Sequence, residues 1–60
     1  MITFEDLERT RLRAGHSQRE VARRIGRHWM LWQYWKTYGF NPTRETMEAI
    51  ERYMKEAKKR

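Results

Sequence analysis

Sixty residues make a single small domain, near the lower limit at which one hydrophobic core holds a chain folded without disulfides or metal, and they leave no room for a large catalytic cleft. The absence of cysteine excludes a disulfide framework and a thiolate metal site, and no apolar run approaches the roughly 20 residues of a membrane span. The net charge of +6 is unevenly placed: residues 1–8 carry three acids and no base, residues 9–27 carry seven arginines against Glu20, residues 28–54 balance, and residues 55–60 carry four bases against Glu56.

The first helix is expected from Phe4 to about Ala14. Thr3 is its cap, Asp6 faces the free amides of the first turn, and Ile2 and Leu7 have the spacing of a hydrophobic staple. Its inward stripe reads Phe4, Leu7, Arg11 by its aliphatic stem, and Ala14, with Leu12 on the flank. Gly15 ends it, because a glycine just past a helix takes the left-handed conformation cheaply.

Ser17 and Glu20 form an S-x-x-E capping box, the strongest local start signal in the chain, for a second helix from Gln18 to Ile25. Val21, Ala22 and Ile25 share one face, while Arg19, Arg23 and Arg24 face out or flank it. Gly26 closes this helix as Gly15 closed the first. A third helix is expected over roughly Trp29 to Thr37, with Trp32 and Trp35 inward and Tyr38 continuing their stripe.

Gly39-Phe40-Asn41-Pro42 breaks the pattern. Thr43 then caps a fourth helix in which Met47, Ile50, Met54 and Ala57 recur at helical spacing and Tyr53 widens the stripe. That helix is expected to run to about Glu56 and to fray into a basic tail over about residues 57–60. Loops of about two to six residues leave no space for a sheet, so the fold class is all-α, one domain over residues 1–60.

The run G-H-S-Q-R-E-V-A-R-R-I-G, then Trp35, then P-T-R-E-T-M-E-A-I-E-R-Y-M, resembles the Cro/C1-type (Xre-like) helix-turn-helix family of phage repressors and their bacterial relatives. Separate blocks over about residues 7–54 agree with the family pattern in residue type and in spacing without a gap. The resemblance implies a compact four-helix domain containing a helix-turn-helix, and a small transcriptional regulator that binds double-stranded DNA in the major groove with the third helix. It places base-edge contacts at His28, Trp29, Met30, Gln33 and Tyr34, and phosphate contacts at Arg11, Gln18, Arg27, Lys36, Asn41 and Arg44. An intracellular, cytoplasmic location associated with the nucleoid goes with that reading, as does the acidic start of the chain, which is unlike a secretory signal.

Four positions depart from the family pattern. His16 stands where leucine is usual, and is read as a buried neutral histidine with one partner. Lys36 stands where a glutamate usually pairs with the arginine of the first helix, so that brace must be apolar or made differently. The glycine expected at 38 is Tyr38, with Gly39 displaced by one. The usual fifth helix, which helps many relatives dimerise, has no counterpart, and a homodimer is left open.

The aromatic third helix keeps three readings open. If Trp32 and Trp35 point inward, then Trp29, Met30, Gln33 and Tyr34 point largely outward. That surface either reads DNA, with Trp29 and Met30 on thymine methyls and Gln33 and His28 hydrogen-bonding, or binds a partner protein, or enlarges a thin core or a self-dimer. The arginines likewise face either phosphate or plain solvent. No histidine, serine or carboxylate pairing has the spacing of a catalytic site, no Gly-rich phosphate loop exists, and no cofactor is expected.

Overall fold

A computed structural model describes residues 2–58. Four helices follow one another, α1 Phe4–Ala14, α2 Gln18–Arg24, α3 Met30–Tyr38 and α4 Arg44–Lys58, with no strand among the described residues. The radius of gyration is 10.5 Å, against about 10 Å for a well-packed chain of this length. No helix among the described residues is long and apolar enough to cross a membrane.

Each helix end has a local cause. At α1, Thr3 Oγ1 accepts the Asp6 amide at 3.1 Å while Asp6 Oδ2 accepts the Thr3 amide at 3.0 Å, a complete reciprocal box. The box at α2 is only half made, contrary to the expectation for Ser17 and Glu20. Ser17 Oγ accepts the Glu20 amide at 3.0 Å, but the Glu20 carboxylate turns away to Arg23 and Arg24 at 2.7 and 2.8 Å. Two guanidinium groups hold that carboxylate more strongly than one backbone amide would.

Both glycine corners form as expected, with Gly15 at φ 77° and Gly26 at φ 76°. In each, the glycine amide and the next amide fold back onto helix carbonyls: Gly15 to Leu12 and His16 to Arg11, then Gly26 to Arg23 and Arg27 to Ala22. This paired closure is the Schellman motif, and it gives the chain the same sharp exit twice.

Four boundaries shift by one or two residues. Helix α2 stops at Arg24, with Ile25 as its C-cap at φ −90° and ψ 4°, although the Ile25 side chain remains buried. Helix α3 starts at Met30 and reaches Tyr38, and α4 continues through Ala57 to Lys58. The last two positions of the expected frayed tail lie outside the described residues.

The core is Leu7, Val21, Ala22, Ile25, Trp32, Trp35, Ile50, Tyr53 and Met54, drawn from all four helices. Phe4 packs on both tryptophans, 5.5 Å from Trp32 and 6.3 Å from Trp35 between ring centroids, and Phe40 joins them, edge-on to Trp35 at 4.9 Å and 5.7 Å from Phe4. Tilted and edge-on rings of this kind add to the area they bury. Met47, expected inside, is only half-buried.

Tyr38 is a clear correction. It lies 74% exposed rather than continuing the tryptophan stripe. Each step of three residues falls about 60° short of a full turn, so two steps from Trp32 carry Tyr38 roughly 120° round the helix and off the core.

Candidate nucleic-acid interface

The start of α3 is built by His28 and Trp29. Trp29 occupies the N-cap position in helical conformation and offers no side-chain cap. His28 Nδ1 accepts the Met30 amide at 3.2 Å instead, satisfying one of the free donors of the first turn. The His28 ring stacks on Trp29 at 5.7 Å and 30°, and the Arg19 guanidinium of α2 lies 5.5 Å over the Trp29 ring. Trp29 is thereby pinned between the start of its own helix and α2.

All five expected base-contact residues, His28, Trp29, Met30, Gln33 and Tyr34, are exposed. They do not form one flat face. Met30, Gln33 and Tyr34 line an open groove of about 640 Å³ with Arg27, His28 and Tyr38. Trp29 stands on the side of the helix nearer Arg19. Tyr34 and Tyr38, one helical turn apart, pack at 4.8 Å.

The six expected phosphate contacts separate into three groups. Arg27 and Asn41 line a second hollow of about 210 Å³ together with Tyr34, so these two cluster with an expected base-contact residue. Lys36 and Arg44 are exposed but line neither hollow, Lys36 lying on the Trp29 side of α3 and Arg44 opening α4, and Gln18 is half-buried in the first turn of α2.

Arg11 does not belong with them. Its side chain is 13% exposed, its Nε donates to Glu8 Oε1 at 2.7 Å, its Nη1 donates to the His16 carbonyl at 3.0 Å, and its guanidinium lies 5.9 Å over the Trp32 ring. Arg11, expected to meet a DNA phosphate, is instead held by an internal carboxylate, a carbonyl and a ring, and so stands apart from the exposed cations. These contacts also answer the missing glutamate at Lys36. The partner of Arg11 comes from one turn earlier on α1, and its link to α3 is the face of Trp32.

His16 is half-buried rather than buried, and among the described residues its ring is bonded to the Tyr53 hydroxyl, at 2.8 Å from Nδ1. Among the described residues no three metal-ligating side chains come together.

The ion pairs sort the arginines of residues 9–27. Arg9 pairs with Asp6, Arg11 with Glu8, and Arg23 and Arg24 with Glu20. Arg13, Arg19 and Arg27 have no carboxylate within 4.0 Å among the described residues, nor do Lys36 and Arg44. Positive charge left unneutralised therefore lies on both sides of α3, at Arg27 and at Arg19.

Two contributors escaped the sequence reading. Arg19 was legible only as an outward residue, since nothing in the chain places it over Trp29. Tyr38 carried a usable signal, the four-residue spacing from Tyr34. No family model, curated protein or solved structure matches the chain.

Proposed function

We propose that the protein binds double-stranded DNA sequence-specifically, as a small repressor-like transcriptional regulator that lays α3 in the major groove. The observation that carries this reading is the exposed face of α3 with Arg19, Arg27 and Lys36 beside it, cations that, like Arg44 at the start of α4, no carboxylate within 4.0 Å neutralises among the described residues. Arginine and lysine on phosphates provide most of the affinity, by releasing counterions. His28, Gln33 and Tyr34 supply polar contacts to base edges, and Met30 supplies apolar contact to thymine methyls. The Cro/C1-type sequence pattern supports the same assignment. Trp29, held against His28 and under Arg19, orients the start of α3 and offers the groove only its free edge.

Titration of random duplex DNA at low and moderate salt, followed by selection of a preferred sequence, tests the proposal. Arg27→Ala combined with Arg44→Ala should weaken all duplexes alike and shrink the salt slope by about two, whereas Gln33→Ala or Tyr34→Ala should change the preference among sequences. A protein that binds no duplex even at low salt is not a DNA-binding protein of this kind.

One observation favours a second reading, in which α3 binds a partner protein. Met30, Tyr34 and Tyr38 are 59%, 50% and 74% exposed and line one groove, an apolar concentration that soluble monomers rarely leave uncovered. Under that reading Tyr38→Ala abolishes capture of the partner and leaves duplex affinity at the wild-type value.

A further inference from the structure

On the side of the molecule where α1 ends, a hollow of about 460 Å³ opens between Thr10, Arg13 and Ala14 of α1, His16, Arg24 of α2, and Tyr53, Glu56 and Ala57 of α4. It shares no lining residue with either hollow beside α3. Tyr53 forms its floor, 5% exposed, with the hydroxyl 2.8 Å from His16 Nδ1. In the tautomer whose Nδ1 accepts the phenol proton, Nε2 carries the ring proton and is a further donor.

Two guanidinium groups line this one hollow. Glu20 holds Arg24 through Nε, at 2.8 Å, leaving the terminal nitrogens of the fork for another acceptor. Arg13 has no carboxylate within 4.0 Å among the described residues, and Glu56 on the rim pairs with no cation there. The lining of the hollow carries two cations against the one carboxylate of Glu56, and an anion seated beside the two guanidinium groups is attracted to them. Burial pushes the Tyr53 hydroxyl above its ordinary value, so it stays a neutral phenol at the base of the hollow.

We propose that this hollow is a binding site for a small phosphate monoester. The phosphoryl oxygens lie between Arg13 and Arg24, with Thr10 and His16 as further donors. Arginine forks match phosphate oxygens in pairs, which a carboxylate exploits less fully because it has one oxygen fewer and half the charge. The volume exceeds what a bare ion fills and falls within the range of small-molecule sites. Ala14 and Ala57 give the organic substituent an apolar wall, and Glu56 disfavours a second negative group on that substituent.

The test uses the full chain, titrated at constant ionic strength with phenyl phosphate and, in parallel, inorganic phosphate and benzoate, while amide shifts are followed by NMR. Phenyl phosphate should shift the amides of Arg13, His16 and Ala57 saturably in the millimolar range or below, more tightly than either control. Arg13→Gln, at an exposed position, should weaken it about tenfold, the loss of roughly one charge-assisted hydrogen bond, with the thermal midpoint unchanged. Arg52→Gln, elsewhere on α4, should leave the affinity as it was. The proposal is overturned by the absence of saturable shifts, or by equal losses in both variants, which would mean unspecific attraction to a basic protein. It is equally overturned if a short duplex shifts these amides while phenyl phosphate does not, which would assign the hollow to the nucleic-acid backbone. Because no residue of the α3 surface is involved, failure of duplex binding leaves this proposal standing, and the converse also holds.

Discussion

At Arg11 the guanidinium meets the Glu8 carboxylate, the His16 carbonyl and the Trp32 ring at once. Such a group is anchored in the fold although its residue type belongs to the surface, since its side chain is only 13% exposed and two of its nitrogens are bonded internally. Arg11→Ala should therefore cost about 2 kcal/mol, within the range for charge-assisted bonds left unpartnered, and chemical denaturation measures it. The same variant should leave the salt slope of duplex binding unchanged; a slope reduced by about one would return Arg11 to the phosphate contacts. Trp35→Ala should cost about 3–5 kcal/mol as a core truncation, enough to unfold much of so small a domain, and circular dichroism at 25 °C reads the result. The roles of the two inward tryptophans were legible from their spacing. For Arg11 only the inward stem was, because two of the three partners of its guanidinium are a carbonyl past a turn and a ring on another helix.

Helix ends account for most of what could be read locally. Thr3, Ser17, Thr43 and the two corner glycines each act within three or four residues, so their consequences are written in the chain itself. Thr3→Ala should cost about 1 kcal/mol. At Gly26 no atom lies within 4 Å of where a Cβ would stand, so Gly26→Ala costs only the left-handed conformation, about 1–2 kcal/mol, and Gly26→Asn should cost less. Denaturation curves of the three variants test these values. The start of α3 was misplaced by one residue because the side chain that caps it is a histidine ring, outside the usual set of capping residues.

The carboxylates of two helix starts also set an acid limit. Asp6 is held below its ordinary value of 3.8, first by the Thr3 backbone amide and then by the Thr3 hydroxyl, and Glu20 is held below 4.5, first by Arg23 and then by Arg24. The unfolded chain, lacking these partners, binds protons at higher pH than the native state does. Their contribution is therefore intact above about pH 4.5 and is lost as pH falls through the lowered native values. Denaturant midpoints measured from pH 7 downward should drop over that window, and Glu20→Gln should flatten the drop.

For the molecule as a whole, composition and periodicity already determined an all-α domain of four helices, with Trp32 and Trp35 inside and Trp29, Met30, Gln33 and Tyr34 outside. Helical spacing, caps and glycine corners are local causes, and a sequence displays them directly. Only the tertiary structure decided how the charge is shared out. It assigned Arg9, Arg11, Arg23 and Arg24 to carboxylates, and left Arg13, Arg19 and Arg27 without one among the described residues. It also set Arg19 over Trp29 and brought the ends of α1 and α2 together with α4 around Tyr53. Long cationic side chains reach several ångströms in any outward direction, so their partners depend on which helix lies opposite, and no periodicity within one helix records that.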